Sequence, residues 1–471
     1  MNIVRKFMTK FAGARDMTEG KPVRNLIEFA VPLLIGNLAQ LLYSTVDSIV
    51  VGKYVGDQAL AAIGASMPLF NLVLVLFMGI SVGAGIMISQ YFGAKDRRNL
   101  SMTIGNSIIL NIIASAMIML VGFFLVEPFM RMLGTPEDIF EMSCSYLTIV
   151  FVGILGCTFY NIFSGILRGM GDSVMPLLFL LISTVLNIAL DLWFVMGFRL
   201  GVAGVAYATV LAQGISAVLC FLRIKSMKDV LDVNKSTLKL EGALVKRLII
   251  LGIPSGVSQM IFSMAALVVQ SLTNSFGSSI ITVSTVVMRV DSFAMMPCFT
   301  FGTAMTTYAG QNIGAGRLDR VKAGTKDGMK LGVSISAALV LFIVIFGKYL
   351  MALFTNTQEI IDMSNRMMRM LSVGYIACAI TQILSGVMRG AGDTVTPMWI
   401  SIITTVFLRV PVAYGIAWMT KSAEYPNGRP ECIFISLLVS WTLGAVITAL
   451  FYKFGNWHKK GIVQQEMTLP E

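Results

Sequence analysis

Twelve stretches of predominantly apolar residues follow one another along the chain, each about as long as the roughly 20 residues a helix needs to cross a ~30 Å hydrocarbon core. They predict spans at approximately 26–50, 62–91, 101–125, 142–166, 176–197, 201–223, 247–273, 280–309, 330–353, 364–388, 397–418 and 431–453. The rest of the composition agrees. Of the 471 residues, 56% are hydrophobic and only 13% charged, against about 25% charged in soluble domains. A chain with so little charge could not cover a surface facing water, but charge is what a lipid-facing surface must avoid. The expected fold is an all-α polytopic membrane protein.

The cations decide its orientation. Loops on one side hold 26 Lys and Arg residues. They include Arg5, Lys6, Lys10, Arg15, Lys21 and Arg24 before the first span, Arg97 and Arg98, the run from Arg223 to Arg247 that contains Lys235, Arg317 to Lys330, and Lys453 to Lys460. The opposite loops hold six: Lys53, Arg131, Arg199, Lys348, Lys421 and Arg429. Basic loops stay in the cytoplasm, so both termini are expected there, in the cell membrane. The net charge of +11 is thus assigned to loops facing a bilayer, with no nucleic acid as partner. The N-terminus shows no apolar run before Arg24, and the first span is expected to be its own insertion signal. The six cysteines have neither metal-ligand nor disulfide spacing.

An internal repeat organises the spans. Gly165-Ile-Leu-Arg-Gly-Met-Gly-Asp-Ser-Val-Met-Pro176 recurs 221 residues later as Gly386-Val-Met-Arg-Gly-Ala-Gly-Asp-Thr-Val-Thr-Pro397, and Gln90-Tyr-Phe-Gly-Ala-Lys95 recurs at the same distance as Gln311-Asn-Ile-Gly-Ala-Gly316. Pro32 and Pro254 lie 222 apart. Two unrelated motifs sharing one offset predict two six-helix lobes that run the same way through the membrane, an arrangement that places substrate between the halves. The expected divisions are a cytoplasmic segment 1–25, an N-lobe 26–223, a linker 224–246, a C-lobe 247–453 and a cytoplasmic tail 454–471. The repeated motif (Arg168, Gly171, Asp172; Arg389, Gly392, Asp393) reads as a cytoplasmic turn in which Gly takes an unusual backbone angle, Asp caps and Pro starts the next helix, or as part of a cytoplasmic gate. Pro32 removes one helical hydrogen bond and marks a hinge, a fixed kink or a first-turn proline.

Ionisable residues inside spans are costly and are functional candidates by default. Asn37, Gln40, Ser44 and Asp47 recur at steps of 3, 4 and 3, one polar stripe on the first helix. Asn187 and Asp191 share a face of the fifth, and Thr209 and Gln213 a face of the sixth. A carboxylate inside a span is a candidate to bind a small cation or to carry a proton. At the repeat offset the second half has Val268 for Asp47, Leu408 for Asn187 and Val412 for Asp191. Its stripe in the seventh span is neutral: Gln259, Ser263 and Gln270. Arg289 and Asp291 are expected to pair locally near a helix end, and Arg409 either lines a cleft or snorkels.

These segments, with Met17-Thr-Glu-Gly20, Pro32-Leu-Leu-Ile-Gly-Asn37, Leu42-Tyr-Ser-Thr-Val-Asp-Ser-Ile-Val-Val-Gly52, Ser81-Val-Gly-Ala-Gly85 and Leu186-Asn-Ile-Ala-Leu-Asp191, resemble the multidrug and toxic compound extrusion (MATE) family over essentially the whole chain, most of all its bacterial DinF-like branch. The resemblance implies an antiporter that exports organic, mostly cationic compounds through a cleft between two lobes in exchange for H⁺ or Na⁺. It implies that Asp47, Asn187, Asp191 and Thr209 match a cation site, where Na⁺ could bind. No other cofactor is expected, and the protein is expected to act as a monomer. A flippase for lipid-linked oligosaccharide or another amphipathic metabolite is the alternative. An enzyme is not expected: no P-loop, HExxH motif or catalytic triad stands out.

Overall fold

The computed structural model describes residues 13–463 apart from 233, 235 and 236. Arg5, Lys6, Lys10 and Lys235 of the loop-charge argument, and residues 1–12 and 464–471 of the terminal segments, lie outside the described residues. Helices form throughout: α1 (Pro22–Tyr54), α2 (Asp57–Gly93), α3 (Arg97–Met132), α4 (Glu137–Val152), α5 (Ile154–Gly169), α6 (Val174–Leu192), α7 (Gly201–Ser226), α8 (Gly242–Ser275), α9 (Ser278–Gly314), α10 (Leu318–Ala352), α11 (Gln358–Ser372), α12 (Gly374–Gly390), α13 (Val395–Ile402), α14 (Val410–Met419) and α15 (Cys432–Phe454). Wider π-helical turns at Trp193–Gly197 and Ile403–Arg409 extend α6 and join α13 to α14.

Ten of these segments are long and apolar enough to cross a bilayer, and α4–α5 and α11–α12 each make one more span bent by 51° and 43°. That is the expected twelve, with two broken. At the first break Gly153 lets the helix pack closely, since a Cβ there would fall on the side chain of Val210. The helices also outrun their apolar windows, α2 and α9 reaching 37 residues each. Hydropathy marks only the part in lipid, whereas backbone hydrogen bonding continues into the polar ends. The exterior is apolar, with Leu120, Phe123 and Phe124 each more than 60% exposed, as suits a protein whose solvent is hydrocarbon.

The chain forms two compact units. The first contains residues 13–16 and Val31–Gly256, the second Met17–Ala30 and 257–463. Each unit therefore takes in a leading segment that the repeat alone would give to the other half. In the second unit, Met17 N–H donates to Gln311 Oε1 (2.8 Å), and Arg317 and Arg320 donate to the carbonyls of Thr18 (2.9 Å) and Gly20 (3.0 Å). In the first unit, Arg97 grips the linker through Asp232 (2.7 Å), and Glu241 N–H donates to Asn106 Oδ1 (2.8 Å). Pro32 and Pro254 lie within two residues of the points where α1 and α8 change unit. Both helices continue through their prolines.

Small residues allow the helices to approach. With little hydrophobic drive between helices in lipid, association rests on van der Waals packing. A Cβ on Gly79 of α2 would stand 2.7 Å from the Gly252 carbonyl of α8. The core of the first unit gathers Phe77, Met130, Leu147 and Phe151, that of the second Val287, Met368, Leu371 and Phe434.

The two repeated turns share one geometry. Gly171 and Gly392 have φ of 84° and 94°, a region where a Cβ is strained. Asp172 Oδ1 accepts from Met175 N–H (3.1 Å) and Asp393 Oδ1 from Thr396 N–H (3.2 Å), each closing the first turn of the next helix. Asp172 then pairs with Arg223 (3.5 Å) and Asp393 with Lys460 (2.9 Å). Burial pushes the Asp172 carboxyl above the ordinary aspartate range despite Arg223.

Candidate ion and substrate site

The first unit encloses a cavity of about 450 Å³. The polar face of α1 forms one wall, with Asn37, Gln40, Tyr43, Ser44 and Asp47 lining it; Thr209 and Gln213 of α7 stand across. The stripe lies on a continuous helix that water-accessible space can solvate. The Ser44 hydroxyl is already engaged, donating to the Gln40 carbonyl (2.9 Å).

Asp191 and Asn187 lie behind this wall, both fully buried. The Asp47 and Asp191 carboxyls come within side-chain hydrogen-bonding reach of each other. Two carboxylates that close cannot both keep full charge without a proton or cation between them. Asn187, with its amide turned to satisfy its neighbours, donates to Asp191 Oδ2 (3.1 Å) and to Tyr43 Oη (3.3 Å) and accepts from Thr209 N–H (3.2 Å). The Tyr43 and Thr209 hydroxyls are themselves in contact. Asp47 Oδ1 and Asp191 Oδ1 are buried without a hydrogen-bond partner. A buried orphan acceptor is expensive, and two of them face what a proton or a small hard cation would satisfy.

The four residues singled out as a cation site are thus brought together, and Tyr43 joins them. It precedes Asp47 by one helical turn, so the spacing that exposed the stripe also reaches Tyr43; an aromatic among apolar neighbours hid it. At the far end of the cavity lie Pro32, Pro176 and Arg168, whose Nε donates to the Ser164 carbonyl (3.1 Å).

The second unit differs. Its cavity is about 60 Å³ and is lined by residues such as Cys378, Gln382, Ser385 and Arg389. Gln259 and Gln270 are exposed and do not line it; Gln270 donates to Asn274 on its own helix (2.9 Å). The expected Arg289–Asp291 pair does not form. Residues two apart on a helix point to different sides: Arg289 is exposed and Asp291 is buried. Asp291 is also well inside α9 rather than near its end, and its Oδ1 accepts from the Tyr375 hydroxyl (2.7 Å).

A family model described as MatE matches this chain twice, over residues 32–193 and 254–415, so the two copies start 222 residues apart, as the proline spacing predicts. The chain is 30% identical over 450 residues to the probable multidrug resistance protein YoeA of Bacillus subtilis, covering 94% of this chain and 95% of the relative. It is 25% identical to the probable multidrug resistance protein NorM of Thermotoga maritima, with 94% and 95% covered. Among solved structures it is similar to a MATE protein in the bent conformation, with a TM-score of 0.86 and 24% identity over 93% of this chain and 96% of that one. It is equally similar to the outward-facing conformation of a multidrug resistance MATE family transporter of the MOP superfamily, with a TM-score of 0.85 and 24% identity over 94% and 97%.

Proposed function

From the premise that this chain belongs to the MatE family of membrane transporters, we propose that it is a secondary antiporter that exports organic, mostly cationic compounds in exchange for H⁺ or Na⁺. The observation that carries this reading is the pair of buried, unpartnered carboxylate oxygens, Asp47 Oδ1 on the wall of the 450 Å³ cavity and Asp191 Oδ1 behind it. A coupling ion held between the two carboxyls neutralises them. When it leaves, negative charge is exposed to the cavity, where attraction for an organic cation is stronger than in bulk water. Ion and substrate then compete for the same charge, which is the condition for exchange. Asn187 holds the Asp191 carboxyl and is itself held by Tyr43 and Thr209, and the three side chains offer oxygens to Na⁺ as well as hydrogen bonds to a protonated pair. Relatives named as multidrug resistance proteins favour breadth of substrate over one metabolite. The protein acts on this reading as a monomer in the cell membrane, with both termini in the cytoplasm.

The test is transport in proteoliposomes with pH and sodium gradients imposed separately. Efflux of an ethidium-like dye driven by one gradient and lost in Asp47→Asn supports the proposal. Dye movement indifferent to both gradients, or equal export of an anionic dye of similar size, counts against it.

A further inference from the structure

We propose that Cys298, Cys378 and Met295 form a binding site in the second unit for a soft monovalent metal cation, Cu⁺ above all. The inference goes beyond the export reading and does not depend on it, since no residue assigned to exchange takes part.

The two cysteines are far apart in sequence, and folding joins them. Cys298 and Cys378 are 2% and 5% exposed and pack with Ala379 as one buried cluster. The Cys298 thiol donates to the Tyr375 carbonyl (3.8 Å), one turn before Cys378 on α12, and stands 3.7 Å from Ser336 Oγ of α10. The two thiols come within hydrogen-bonding reach of each other. Met295 precedes Cys298 by three residues and so shares a face of α9 with it. It packs against the same cluster, as does Trp441 of α15. Met295 and Cys378 both line the 60 Å³ cavity of the second unit. The cluster is therefore not sealed: a thioether and a thiol reach open space, with the second thiol packed against them.

Size and donor chemistry select the occupant. A drug-sized ligand needs about 300–1,000 Å³, far more than this cavity offers, whereas a water takes about 30 Å³ and a bare ion less. Among the described residues the lining has no carboxylate or imidazole, the donors that hard cations and many Zn²⁺ sites use. Thiol and thioether sulfurs are the donors that favour Cu⁺. Charge balance points the same way, because an uncompensated charge in a span is costly. Cu⁺ binding with release of one thiol proton leaves a thiolate, a thiol, a thioether and the ion, with net charge zero and no change of oxidation state. Arg389, the cation on the lining, is about 16 Å along α12 from Cys378 at 1.5 Å per residue, toward the other end of the cavity. The repeat supplies an internal control. At an offset of 221, Cys378 corresponds to Cys157, but Cys298 and Met295 correspond to Phe77 and Leu74. The first unit thus keeps one thiol and lacks the other two sulfurs.

The experiment titrates purified protein in detergent with Cu⁺ under anaerobic conditions against the chelator bathocuproine disulfonate, and follows bound metal and melting temperature. Wild type is expected to retain one Cu⁺ per chain and to melt higher with it than without. Cys298→Ala and Cys378→Ala should each weaken retention about 100-fold or more, beyond the usual loss of a group that only supports a metal ligand, and Met295→Leu about tenfold. Cys157→Ala should leave retention unchanged. X-ray absorption of Cu⁺-loaded wild type reads the ligands without any variant, and two or three sulfurs with no nitrogen are expected. The single histidine of the chain, His458, would give a nitrogen if the ion were held in the tail. Nitrogen or oxygen ligands overturn the site. So does equal loss in Cys157→Ala, or wild type that releases Cu⁺ as readily as the double variant Cys298→Ala/Cys378→Ala. Dye export does not enter the measurement, so failure of the export reading leaves this result standing.

Discussion

The proposed ion site depends on a few atoms. Asp47→Asn and Asp191→Asn each remove a carboxyl from a pair whose use requires two. Both variants should fold, because asparagine keeps shape and hydrogen-bonding capacity. Gradient-driven efflux should fall by at least about tenfold, the weight of one charge-assisted contact. Reconstituted dye efflux with matched protein levels checks this. Tyr43→Phe is a milder probe. It deletes one neutral hydroxyl that accepts from Asn187, worth roughly 0.5–1.5 kcal/mol. The half-saturating concentration of the coupling ion should shift several-fold while maximal efflux stays. An unmoved half-saturation would remove Tyr43 from the site.

At the scale of helices, proline and glycine carry the predictions. Pro32 interrupts the hydrogen bonding of α1 near the residue at which the helix changes unit, and a proline in a helix interior is disfavoured by about 3 kcal/mol. Pro32→Ala should therefore raise the melting temperature and lower turnover, if bending there links the ion site to the rest of the unit. Unchanged turnover at unchanged expression would leave Pro32 a fixed kink. The repeated turns should respond through their backbone. Gly171→Ala forces a Cβ into positive φ and onto the Arg15 carbonyl. A loss of about 1–3 kcal/mol is expected, seen as a lower melting temperature. Asp172 adds a pH signature. Its folded-state pKa lies above its ordinary value because of burial, so its contribution is most favourable below that ordinary value and declines as pH rises through the folded one. Melting wild type and Asp172→Asn side by side should show wild type gaining on the variant as pH falls.

For the whole molecule, the two units share a plan and differ in charge. Ion coupling is predicted to reside in the first. Asp291→Asn should leave the gradient dependence of dye efflux intact, whereas Asp47→Asn should not; the reverse result would move the coupling site to the second unit. The mildness of Asp291→Asn follows from Asp291 being engaged by Tyr375, with Arg409 as the charge it balances.

The twelve spans, the repeat and the acidic stripe were legible in the sequence because each is local or periodic. A span is a length of apolar residues, a repeat is an offset, and Asn37, Gln40, Ser44 and Asp47 share a face at helical spacing whatever surrounds them. The match of Asn187, Asp191 and Thr209 to one site came from family resemblance, since no spacing relates three helices. Tertiary structure alone brought Asp191 to Asp47 and added Tyr43 between Asn187 and Thr209. It also separated Asp291 from Arg289 and joined it to Tyr375, 84 residues away. The leading segments were likewise beyond the sequence pattern. Met17–Ala30 belongs to the second unit because its carbonyls and amide meet Gln311, Arg317 and Arg320. Hydrogen bonds between distant segments leave no period in a sequence, because they depend on which side chains folding brings within 3 Å of one another.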